Sequence, residues 1–131
     1  MDINNFDETA IFDTLSDIIR ESGVSKNVFP NRPSSSKNDL SDFVVCRISG
    51  RIDDLAAYGE CVASIALFAK NVSNIKNKDK LSVMQDRLFA GMPRSANRLL
   101  IDGRPDILGD TTDGNGYHVR IVNYSLIIKS V

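Results

Sequence analysis

Near the start of the chain the apolar residues Ile11, Phe12, Leu15, Ile18 and Ile19 recur at three- and four-residue spacing, which predicts a helix from about Asp7 to Ser22 with one apolar stripe. Acids crowd its first turns, where the positive end of the helix dipole favours them, and Gly23 stands where a left-handed C-terminal cap is wanted. Pro30, Pro33 and the serine run after them then remove the pattern. Residues 30–42 accordingly read as an exposed loop after a short extended entry at Val28-Phe29. In "DFVVCRISGRI" a two-residue alternation puts Val44, Cys46, Ile48 and Ile52 on one side and Val45, Arg47, Ser49 and Arg51 on the other, as in a strand with one wet face.

In "YGECVASIALFAK" the alanines favour a helix, while the apolar run Val62 to Ala69 equally suits a strand covered on both faces, and periodicity cannot separate the two; we read the strand. A polar break leads to a second helix from about Asn77 to Gly91, striped by Leu81, Met84 and Leu88, widened by Phe89 and stopped by Gly91 and Pro93. The remainder reads as strands at 98–102, 104–110 and 117–129. In the last of these Val119, Ile121 and Ile127 alternate with Arg120, Val122, Tyr124, Leu126 and Ile128. Asn123 and Ser125 dilute the first set, so the second is the core side near the C-terminus. The order predicts one α+β domain over residues 1–131: a mainly antiparallel sheet of four to five strands with two helices packed on one face.

Composition adds limits to that outline. With 131 residues, 42% hydrophobic and 25% charged, the chain has the make-up of an ordinary globular domain. No apolar run is long enough for a membrane span and the N-terminus is acidic, so the expected location is a cytoplasm. The net charge of −1 hides an asymmetry: residues 1–23 carry six acids and one base (−5), and the rest fifteen bases and eleven acids (+4). That division does not fit a sequence-specific nucleic-acid binder, whose bases cluster in a stripe. It fits either a helix with a solvated acidic side or subunits that meet acidic face to basic face.

Candidate chemistry is sparse. "DTTDGNGY" at 110–117 invites a calcium reading, but a loop counted on Gly114 puts its first and last ligand positions at Gly109 and Arg120, and one counted on Gly116 at Thr111 and Val122. Nor does Gly114-Asn115-Gly116 supply the third glycine, or the following helix, that a dinucleotide loop needs. Asp113-Gly114 and Asn115-Gly116 tolerate positive φ, and between two strands they predict a hairpin tip. His118 is the only histidine, and no nucleophile turn accompanies it. Cys46 and Cys61 read as buried thiols and, with one histidine, cannot make a four-ligand zinc site. Asp53-Asp54 offers a carboxylate pair but reads rather as a turn after a strand, and Lys76, Lys78 and Lys80 read as a solvated helix entrance or a meeting point for phosphate or an acidic partner. Neither cofactor nor metal is expected.

The first helix ending near "ESGVSKNVFPNRP", the strands "DFVVCRISG" and "ECVASIALFA", the helix "LSVMQDRLFAGM" and the terminal hairpin resemble, in layout, tail terminator and tail-completion (head–tail joining) proteins of long-tailed bacteriophages and prophages. Phe29-Pro30 before a proline-serine loop and the strand start Phe43-Val44-Val45 carry the resemblance at residue level. It implies a non-enzymatic virion subunit, assembled in the host cytoplasm into a ring of six that caps the tail tube, joins it to the head connector and lets DNA pass without reading its sequence. Closure of such a ring needs two complementary patches on each subunit. The residues expected to touch neighbours are Asp13, Asp17 and Glu21 on the first helix, Ser34, Ser35 and Lys37 in the loop, and Asp113, Gly114, Asn115 and Gly116 at the hairpin tip. A small regulatory or immunity-type protein-binding module is the other reading these residues allow.

Overall fold

The computed structural model describes residues 8–31, 40–49, 58–73, 75–96, 99–114 and 116–129. Helix α1 (Glu8–Glu21) is followed by strands β1 (Val28–Phe29), β2 (Asp42–Ser49) and β3 (Tyr58–Lys70), helix α2 (Lys78–Ala90), and strands β4 (Arg94–Ala96), β5 (Leu99–Ile101), β6 (Asp106–Thr112) and β7 (Tyr117–Lys129). Both helices end as their caps require. After α1 the amide of Val24 donates to the Ile19 carbonyl and that of Gly23 to the Arg20 carbonyl, a Schellman closure in which Gly23 takes φ +78°. Asn77 caps α2 by accepting from the Lys80 amide, and Gly91 closes its other end.

The fold class is α+β, with both helices on one face of one sheet, but the described residues hold seven strands rather than four or five, in a mixed sheet. The order is β1-β2-β3-β7-β5-β4, with β6 also on β7. All pairings are antiparallel except β1 with β2, which run parallel. Two short strands account for the difference. The extended entry at Val28-Phe29 pairs through Val28 with Val44, and β4, in "RSA", has no β-branched or aromatic residue to signal it. The apolar run at 58–70 is a strand throughout, lying between β2 and β7 at the centre of the sheet.

Register explains the core. Cys46, Ile65 and Val122 lie side by side across β2, β3 and β7, as do Ile48, Ala63 and Tyr124, and this face carries Leu15, Ile18 and Ile19 of α1 with Leu81, Met84 and Leu88 of α2. The opposite face is not simply wet. Phe43, Phe68 and Val119 form a row there, and with Val45 and Tyr117 they make a second buried cluster. The Phe43 and Phe68 rings stack at 4.3 Å, the Tyr117 ring meets Phe43 edge-on at 5.1 Å, and the Tyr117 hydroxyl donates to the Leu40 carbonyl at 2.5 Å. The wet face predicted for β2 therefore begins only at Arg47. Ile52 and Arg51 lie outside the described residues.

Strands β5 and β6 run in the same direction along the same edge of β7, β5 against its C-terminal half and β6 against its N-terminal half. Strand β4 covers β5 on the outside, and among the described residues nothing pairs with the outer edge of β6. Pro105 precedes β6, and between Leu108 and Thr111 the register slips so that Gly109 and Asp110 together face the single residue Arg120. Ile107 and Leu108 are each about half exposed on this edge.

Candidate functional site

The bulge in β6 serves one side chain. Arg120 shares its row with Val44 and Leu67 on the helix-covered face, where a guanidinium must be paired to be buried. The slip brings Asp110 to it: Arg120 Nε donates to Asp110 Oδ1 at 2.6 Å and Nη2 to Oδ2 at 2.9 Å, while Nη1 reaches Gln85 Oε1 of α2 at 2.9 Å. Lys76, just before α2, adds a third contact to Asp110. The Arg120 hydrogen bonds, together with Lys76, hold the Asp110 carboxyl well below the usual carboxylate range against the opposing effect of burial. This network ties β6, β7 and the entrance of α2 together and is structural. Lys80 is likewise committed, to Asp42 at 2.9 Å, so of the three lysines read as a solvated entrance only Lys78 is exposed.

The nucleophile candidates are quiet. Burial pushes the Cys46 thiol up to about 12 and that of Cys61 to about 11, which leaves both protonated at neutral pH. His118 Nδ1 lies 2.6 Å from Asn71 Oδ1, and its ring is fixed by that contact. The Tyr124 hydroxyl is buried without a hydrogen-bond partner, and burial raises its pKa to about 12. Asp53-Asp54 lies outside the described residues.

The hairpin tip is the bend that its composition predicts. Gly114 and Gly116 have φ of +77° and +93°. Asp113 Oδ1 accepts from the Tyr117 amide at 3.1 Å, and its own amide donates to the Tyr117 carbonyl. The Asp113 carboxylate thus closes the hairpin. Asn115 lies outside the described residues, as do the loop residues Ser34, Ser35 and Lys37.

Of the acidic helix face, Asp13 and Asp17 are exposed, whereas Glu21 pairs with Arg94 at the start of β4. Asp17 keeps 72% of its side chain exposed and meets Arg20 only at 3.5 Å. Beside this stripe the structure brings together a basic hollow of about 350 Å³ that sequence reasoning missed. Arg20 from α1, Lys26 from the turn after it, and Lys80 and Arg87 from α2 line it, with Asp42 as the one carboxylate among them. The turn is clamped from both sides: Arg20 Nη2 donates to the Val28 carbonyl at 3.4 Å and Arg87 Nη1 to the Gly23 carbonyl at 3.0 Å. Ser25 holds Asp42 Oδ1 at 2.5 Å. The signal in the sequence was faint: one base in the last turn of α1 and one just past Gly23, completed by residues more than fifty positions away.

The hollow can offer cationic donors to an anionic group, and the stripe can offer carboxylates. No protein-family model matches this sequence, and no curated protein is significantly similar to it.

Proposed function

We propose that this chain is a structural assembly subunit that forms a ring terminating a phage or prophage tail tube and joining it to the head connector. The observation that carries the reading is the pair of opposite surfaces on one small domain: exposed carboxylates on α1, and a hollow with four cations against one carboxylate. A ring closed by head-to-tail contacts requires two such complementary patches. The order of helices, strands and terminal hairpin supports the same reading through its resemblance in layout to tail terminators. Two thiols kept protonated and a histidine fixed on Asn71 also suit a protein that acts by contact rather than by reaction.

The test is size-exclusion chromatography with light scattering at about 50 mM and about 500 mM salt, a range over which surface charge is screened to different extents. The expected result is a mass near six subunits at low salt, falling as salt rises. A strict monomer at high protein concentration and low salt overturns the ring. A gene neighbourhood of portal, tube and tape-measure genes is expected, and a neighbourhood without them favours the regulatory module.

A further inference from the structure

We infer that the basic hollow between α1, the 23–27 turn and α2 is the acceptor for the acidic face of α1 on a second copy of the chain. The inference rests on the assembly reading and assigns its contact to named residues. The hollow carries four cations and one carboxylate, a surplus of three positive charges held together by the clamped turn. Asp42 is already occupied by Ser25 and Lys80, so it adds no free negative charge. Lys26 is exposed, and Arg87 uses one guanidinium donor on the Gly23 carbonyl, which leaves others to face outward.

The complementary charge is present in the same chain. Residues 1–23 carry −5 net, and the described part of that segment presents Asp13 and Asp17 one helical turn apart on an exposed face. The contact of Asp17 with Arg20 is long and solvent-exposed, so it contributes little and leaves the carboxylate available. Glu21 is bound to Arg94 and takes no part. Carboxylates at helical spacing, brought to a concave cluster of Lys and Arg, gain what neither surface obtains alone. They also relieve the mutual repulsion of the cations.

The experiment is a charge exchange between two variants. One carries Lys26→Glu and Arg87→Glu, the other Asp13→Lys and Asp17→Lys. Each alone has hollow and stripe of like sign and is expected to associate at least about tenfold more weakly than wild type. An equimolar mixture has each hollow opposite a stripe of the other sign, and is expected to assemble again. Thermal melts establish that both variants are folded, and where Arg87→Glu weakens the clamp, Lys26→Glu alone against Asp17→Lys gives a milder comparison, in which the surplus charge of the hollow falls from three to one and that of the stripe is cancelled. Failure of the mixture to assemble with both chains folded overturns the contact, as does wild-type assembly by either variant alone. Wild-type masses separate the two readings. Six subunits unaffected by charge reversal keep the ring and remove this contact; two subunits restored by mixing keep the contact and remove the ring. A wild-type monomer whose Lys26 and Arg87 instead bind duplex DNA overturns the second-copy occupant.

Discussion

Asp110 shows how one side chain can set the shape of a strand. An arginine in the buried row of β7 needs a carboxylate, and Asp110, one of the two β6 residues opposite Arg120 at the bulge, meets it through both oxygens. Replacing Asp110 by Asn is expected to cost about 2 kcal/mol at neutral pH, since charge-assisted hydrogen bonds are lost around a largely buried guanidinium. The pH dependence follows from the depressed carboxyl. Its contribution is complete above the unfolded-state pKa of about 4 and is lost as pH falls from there toward the lower folded-state value. Urea unfolding of wild type and Asp110→Asn should therefore show a difference that is constant from pH 7 to about 5 and narrows below about 4. A difference that stays constant into acid would place the stabilisation elsewhere.

At the scale of elements, the ends of α1 and α2 were written in the sequence because capping is local: Gly23, Asn77 and Gly91 act on residues within five positions of themselves. Gly23→Ala tests this directly. A β-carbon there meets only Arg87 Cδ at 3.7 Å, an ordinary contact, so the expected loss of about 1 kcal/mol in urea unfolding comes from the left-handed backbone alone. The core side of β7 was legible from the polar residues that interrupt its other side, whereas the run that forms β3 left helix and strand open, and only its pairing on both edges, with β2 and β7, makes it a strand. What could not be read is what depends on distant partners. Phe43, Val45, Tyr117 and Val119 alternate out of phase with the main core, and only the register across β2, β3 and β7 shows that they meet. Lys76 and Lys80 looked solvated because Asp110 and Asp42 are more than thirty residues away. The basic hollow was hidden for the same reason: Arg87 meets Gly23 across 64 positions.

For the molecule as a whole, β3 and β7 are the common wall of two cores, one under the helices and one of stacked rings on the reverse side. A change on one side should therefore be felt on the other. Phe68→Ala is expected to lower stability by about 3 kcal/mol, with far-ultraviolet dichroism and tyrosine fluorescence still following a single coincident transition; separate transitions would mean two independently melting halves. Most of the sheet boundary is guarded as well. Strand β1 stops after two residues at Pro30, and β4 covers β5, which leaves β6, among the described residues, as the long edge with exposed apolar side chains. There Pro105 and the double residue opposite Arg120 divide the regular backbone repeat into two short stretches, Asp106 to Leu108 and Thr111 to Thr112. Backbone groups left unpaired along an exposed strand are a template on which a second chain can add. By breaking the repeat that a stray strand would copy, the same irregularity that seats Asp110 on Arg120 makes the β6 edge a poor template for such pairing.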